Sequence, residues 1–138
     1  MKVQLDKGAK LPTRAYTWDA GFDLYAPEAA TIPARGSVVI DTGVHVEIPE
    51  GYVGFIKSRS GLNTKHGIVS DSGVIDSGYI GSIRVKLYNN AYKCYEIKPG
   101  NRICQIVFLP VFLPELKVVD SLGGETERGA NGFGSSGE

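Results

Sequence analysis

Short runs in which apolar and polar residues alternate, each closed by a turn signal, recur along this chain and predict β-strands. The clearest is Ile83 to Tyr88, where Ile83, Val85 and Leu87 alternate with Arg84, Lys86 and Tyr88 to give a strand with two unlike faces. Ser37 to Ile40 follows the turn residues Pro33 to Gly36, Val44 to Ile48 ends at Pro49-Glu50-Gly51, and Tyr52 to Lys57 comes next. Lys98-Pro99-Gly100-Asn101 introduces a further run, Arg102 to Phe108. Val74 and Ile75 are β-branched, and Ser77-Gly78 supplies a tight turn, so a hairpin is expected that returns along Ile83 to Tyr88. No segment of ten residues or more carries a helical period; a turn or two of helix is expected around Ser60 to Lys65, capped by Ser58 or Ser60. The pattern predicts an all-β barrel or sandwich of jelly-roll type.

Composition narrows this further. A chain of 138 residues supports one domain with a real core. Eighteen glycines and seven prolines, spread along the chain, fit many turns and few long helices. Fifteen basic residues balance fifteen acidic ones, which argues against a broad surface for nucleic acid but allows a local phosphate site. The N-terminus lacks an apolar signal segment and no stretch approaches membrane-spanning length, so no membrane partner is expected. Cys94 and Cys104 fall in predicted strands without metal-ligand spacing, and a reducing, cytoplasmic setting is expected. The last stretch differs in kind: six of the sixteen residues from Gly123 to Glu138 are glycine, and Phe133 is its single large apolar side chain. Residues 1–122 are therefore read as the core, and 123–138 as a flexible glycine-rich arm.

Candidate chemistry concentrates in a few places. Asp76 and Tyr79 sit in a glycine-bracketed bend flanked by aliphatics, and a carboxylate desolvated there would be a stronger general base. The bland alternative is an Asp that caps its own turn. Arg59, Ser60 and Gly61 lead from a strand into the expected helical turn, a place where free N–H groups and the helix dipole favour an anion. A surface arginine beside a cap is the commoner reading. Gln105, in a strand otherwise made of Ile, Cys, Val and Phe, is either a solvent-side position or an uncharged donor. In the tail, Arg128, Phe133, Ser135 and Ser136 offer a cation, a stacking ring and hydroxyls in a glycine frame. Together these supply phosphate donors, a base platform and a water-activating carboxylate, without a Walker-type lysine loop.

Five blocks, in order, resemble the five motifs of the trimeric dUTP diphosphatase (dUTPase) family. They are Ala20 to Ala26, Ser58 to Leu62, Gly73 to Ile83, Gly100 to Val107 and Arg128 to Gly137, spanning nearly the whole chain. The resemblance implies a distorted jelly-roll homotrimer that hydrolyses dUTP to dUMP and pyrophosphate, limiting uracil in DNA and supplying dUMP for dTMP synthesis. Asp76 would hold the attacking water. Tyr79 would pack on the deoxyribose and exclude a 2′-hydroxyl, and the backbone from Gly73, Val74 and Ile75 to Arg84 would pair with uracil. Arg59, Ser60, Gly61 and Gln105 would hold the α- and β-phosphates. Arg128, Ser135 and Ser136 would close on the γ-phosphate while Phe133, beside Gly134, stacks on the base. Mg²⁺ would be held chiefly by the triphosphate and water. Asp23 is a candidate for an outer-sphere or orienting role, against the bland reading of a turn Asp. The three subunits would share each site, with the hairpin and the tail supplied by different chains.

The chain departs from the family pattern at Gly78, Ile80, Ser82, Asn101, Cys104, Asn131 and Ser136. The Asp76-Ser77-Gly78 turn also resembles dCTP deaminase, a relative on the same fold, but Lys86 occupies the position of the glutamate that enzyme needs. A dUTP-responsive regulatory protein is the non-enzyme alternative.

Overall fold

The computed structural model describes residues 1–124, 126–127 and 129–130. Eleven strands and one helix make up its regular structure: β1 (Val3–Leu5), β2 (Gly21–Tyr25), β3 (Ala30–Ile32), β4 (Ser37–Asp41), β5 (Val44–Val46), β6 (Tyr52–Lys57), α1 (Ser60–His66), β7 (Ile68–Ser70), β8 (Val74–Ile75), β9 (Arg84–Asn89), β10 (Tyr95–Ile97) and β11 (Arg102–Pro110). Every pairing is antiparallel. One sheet runs β2-β11-β6-β8 and another β4-β9-β7, with the two-stranded pairs β1-β5 and β10-β3 beside them. This is the all-β jelly-roll arrangement expected, and no helix among the described residues is long and apolar enough to cross a membrane.

The alternation in the sequence is what packs the core. In β9, Val85, Leu87 and Asn89 are buried while Arg84, Lys86 and Tyr88 face out, so one strand serves both core and surface. Leu24, Ile32, Ile68, Leu87, Ile103 and Ile106 are fully buried between the sheets. The buried Asn89 is satisfied: its amide donates to the carbonyls of Ile32 and Lys93 at 3.2 and 2.8 Å, and its oxygen accepts from Ala91 N–H.

Two local expectations are corrected. The Gly73 to Tyr88 stretch is not a simple hairpin, because its limbs belong to different sheets. β7 pairs with β9 (Ser70 opposite Leu87), and the segment between them crosses over to lay β8 against the edge of β6. The helix begins at Ser60, but Arg59 is the cap residue and no side chain caps it. Ser58 is occupied elsewhere: its hydroxyl donates to Ser70 C=O (3.2 Å) and accepts from Ser70 N–H (3.0 Å). α1 ends where Gly67 takes the left-handed conformation (φ 67°) and returns its N–H to the last turn.

Candidate active site

One row across the first sheet organises the phosphate-type residues. Asp23 on β2 lies opposite Gln105 on β11, which lies opposite Lys57 on β6. Directly opposed residues share a face, so Asp23 and Gln105 project together beside the start of α1. Asp23 stands in a strand, which overturns its reading as a turn residue. Its carboxylate takes Arg59 Nε at 2.8 Å on one oxygen and Arg102 Nη1 at 3.2 Å on the other. Arg59 also donates to Arg102 C=O at 3.4 Å. Gln105 Nε2 donates to Ser58 C=O at 3.2 Å, which fixes the strand end that delivers Arg59. Ser60 and Gly61 are at the first turn of α1, and a Cβ on Gly61 would meet open space.

Arg102 carries no distinguishing signal in the sequence, and a β-bulge explains why. The register of β11 against β2 shifts between Arg102 and Cys104, so Ile103 and Cys104 are both buried. Residues three apart in a regular strand face opposite ways. The extra residue turns both Arg102 and Gln105 away from the core. Cys104, beneath this cluster, is sealed in: burial pushes its thiol well up, Asp23 adds to that, and Arg59 opposes it. Glycine at position 21 leaves the room this cluster uses: a Cβ there would overlap the Gln105 carboxamide oxygen, lie 3.0 Å from its carbon and push that side chain aside.

The second group of residues lies apart. Gly73, at φ 70°, accepts from Ile56 N–H at 3.1 Å and leads into β8. Ile75 is buried and Val74 is half exposed. Asp76 to Tyr79 form a turn closed by Tyr79 N–H to Asp76 C=O at 3.2 Å, with Gly78 third at φ 85°, the position that favours glycine in such a turn. Asp76 is exposed, and so are Val74 (49%) and Ile80 (81%). The apolar surroundings expected for Asp76 are therefore not formed by the described residues of this chain on its own. Tyr79 folds back over Gly81, and its hydroxyl donates to Ser82 C=O at 3.0 Å. Arg84 stands at the exposed start of β9, opposite Asp41. Lys86, on the same face, is exposed and reaches over the Tyr88 ring (4.9 Å).

Register sets the distance between the two groups. Ile75 opposes Gly54, so Asp76 lies level with Val53, six positions along the chain from Arg59. At about 3.3 Å per residue that is roughly 20 Å. Arg128, Phe133, Gly134, Ser135 and Ser136 lie outside the described residues. A cavity of about 260 Å³ does open beside Arg59 and Arg102, but it is lined by Leu62, Ile68, Leu87 and Tyr95 and reaches neither Asp76 nor Tyr79.

The family model for dUTPase matches residues 7–137. The chain belongs to the dUTPase family. It is 42% identical over 134 residues to the deoxyuridine 5′-triphosphate nucleotidohydrolase of Yarrowia lipolytica, an alignment covering 96% of this chain and 85% of that one. The dUTPase of Staphylococcus bacteriophage 80alpha, solved with dUpNHpp, superposes with a TM-score of 0.93 at 36% identity over 99% of this chain and 98% of that one. A mutant of the dUTPase from phage phi11 of S. aureus, described with a structural Mg(II) ion, gives a TM-score of 0.83 at 33% identity over 88% and 97%. The order of the five blocks thus belongs to a dUTPase, on the fold the family uses.

Proposed function

We propose that the chain hydrolyses dUTP to dUMP and pyrophosphate as a homotrimer in which each site is assembled from more than one subunit. The observation that carries this is the separation along β6: the Arg59–Asp23–Gln105 cluster and the Asp76–Tyr79 turn stand too far apart to grip one triphosphate within a single chain. Subunits related by rotation can bring the turn of one copy to the cluster of the next. The segment from 111 to 122 supports assembly. Phe112 (84% exposed), Leu116 (89%), Val118 (98%) and Leu122 (94%) are large apolar side chains that the described residues leave uncovered.

In that site Asp76 orients a water and takes its proton as the oxygen attacks the α-phosphorus. The new P–O bond replaces the bridge to the β-phosphate, and pyrophosphate leaves. Tyr79 walls the deoxyribose, and the backbone of Gly73, Val74 and Ile75 and the approach to Arg84 meet the uracil edge, where cytosine would leave buried polar groups unpaired. Arg59, Ser60, Gly61 and Gln105 donate to the α- and β-phosphates, with Arg102 beside them. Asp23 has both carboxylate oxygens engaged by arginines, so it orients the cations and is not a free ligand. Arg128, Ser135 and Ser136 complete the γ-phosphate contacts, and Phe133 with Gly134 covers the base. These donors suit phosphate oxygens; Mg²⁺ would be held chiefly by the triphosphate and water and would supply neutralisation of the charge on the leaving group. The dUMP formed feeds dTMP synthesis, and removal of dUTP keeps uracil out of DNA.

The test is pyrophosphate release from dUTP, UTP, dTTP and dCTP with Mg²⁺, for the wild type and Asp76→Asn. Turnover of dUTP that falls by about 10²- to 10⁴-fold in the variant is expected. Undiminished turnover by Asp76→Asn, or ammonia released from dCTP, would sink the reading.

A further inference from the structure

Residues 80–83, which carry the chain from the Tyr79 turn back to the core, are tied to a single stretch, Asp41 to His45. Ser82 Oγ donates to Asp41 Oδ1. Ile83 C=O accepts from Thr42 N–H (3.0 Å) and from Thr42 Oγ1 (2.7 Å), and Ile83 N–H donates to Val44 C=O (2.9 Å). The remaining tie is Ile80 C=O with His45 Nδ1, at 2.8 Å. Ile80 itself is 81% exposed, so its place in the loop is set by this backbone contact and not by packing.

The second nitrogen of His45 is also engaged. Nε2 lies 3.2 Å from Asp6 Oδ2, just beyond β1. Both ring nitrogens face oxygens that can only accept, a backbone carbonyl and a carboxylate. A neutral imidazole has one N–H and would set a lone pair against one of them; the imidazolium donates to both. The groups around it are Asp6, Asp41 at the end of β4, and Lys2 and Glu47, which pair with each other at 2.9 Å. Arg84 faces Asp41 from β9. The Ile80 carbonyl, then Asp6, hold His45 above the ordinary imidazole value of 6.5, against desolvation.

We propose that His45, bonded to both Ile80 and Asp6, is a positioning residue that sets the substrate loop bearing Asp76 and Tyr79 when charged and slackens it when neutral. This rests on the assignment of that loop to dUTP under Proposed function. The sign follows from the raised value: both hydrogen bonds are present below pH 6.5, and one of the two is lost as pH rises through the folded-state value above it.

Two readouts test it on the intact protein: imidazole NMR titration of both histidines, and the pH profiles of KM and kcat for dUTP. The His45 midpoint is expected above 6.5, with the amides of residues 79–82 titrating in step and Asp6→Asn lowering the midpoint. KM should rise about three- to tenfold through the same midpoint, the worth of one hydrogen bond, while the kcat profile shows no step there. His45→Gln should have a raised KM without that step, and His66→Gln should behave as the wild type. A His45 midpoint at or below 6.5, or a KM step that survives in His45→Gln, overturns the proposal. Absence of dUTP turnover at every pH would instead overturn the substrate assignment, and the NMR midpoint and its Asp6→Asn shift would still decide the His45 contact.

Discussion

Asp23 and Arg59 are 36 residues apart in sequence, yet their side chains meet at 2.8 Å, with Arg102 on the other carboxylate oxygen. The pair is mostly shielded, Asp23 showing 14% of its side chain and Arg59 28%. One acidic group therefore fixes two guanidinium groups that would otherwise repel each other and wander. Both remain able to donate outward, because each guanidinium has five N–H bonds and spends only some of them here.

Asp23→Asn keeps the shape and removes the charge that holds the arginines. We expect KM for dUTP to rise roughly thirtyfold, about 2 kcal/mol, the usual worth of hydrogen bonds to charged groups, with a smaller change in kcat. Steady-state kinetics settle it; an unchanged KM would mean that Arg59 is positioned by other contacts.

Gly21→Ala places a methyl group against the Gln105 carboxamide. Gln105 must swing away from Ser58, so the variant should lose about 1–3 kcal/mol of stability by overpacking and weaken dUTP binding as well. Urea denaturation reads the first effect and calorimetric titration with a non-hydrolysable dUTP analogue the second.

Gly81→Ala displaces the Tyr79 ring, whose Cζ would lie 2.6 Å from the added Cβ. Tyr79 is 43% exposed, so the fold should hardly suffer. The preference for dUTP over UTP should shrink by about tenfold, a loss of roughly 1.4 kcal/mol of discrimination. The ratio of kcat/KM for the two nucleotides is the measurement.

Asp41 is held below its ordinary value of 3.8, chiefly by the Ser82 hydroxyl, with Gly43 N–H, Arg84 and His45 adding to this against desolvation. A depressed carboxylate stabilises the fold above its unfolded value and loses that contribution as pH falls through the folded one. The wild type should therefore lose stability below about pH 4 more steeply than Asp41→Asn does, as read from urea midpoints across the acid range.

Much of this architecture is legible in the amino-acid pattern. β6 runs from Tyr52 to Lys57 as the alternation and flanking turns indicate, and β9 buries Val85 and Leu87 as its pattern requires. Of the five three-residue strands, β1, β3, β7 and β10 carry too short a run for a period to show, whereas β5 lies in the longer alternating run Val44 to Ile48 that Pro49-Glu50-Gly51 closes. Cys94, placed in a strand by the sequence, is an exposed residue just before β10. Arg102 is hidden by the bulge, which breaks the period-two rule at the point where Arg102 and Gln105 both turn outward. The crossing of residues 71–83 between sheets was invisible for a different reason: Val74-Ile75 and Ile83 to Tyr88 look like one hairpin until their partners are known. The five blocks could be recognised one by one, but the distance between Asp76 and Arg59 depends on register, which no local pattern encodes.

In the proposed assembly, that distance along β6 makes the catalytic unit a property of the contact between chains. Two inactive variants should then rescue one another: Asp76→Asn keeps its arginine cluster, Arg59→Ala keeps its aspartate, and in trimers refolded from an equal mixture about a quarter of the junctions pair the sound half of each. If the residues met within one chain, the same mixture would stay dead.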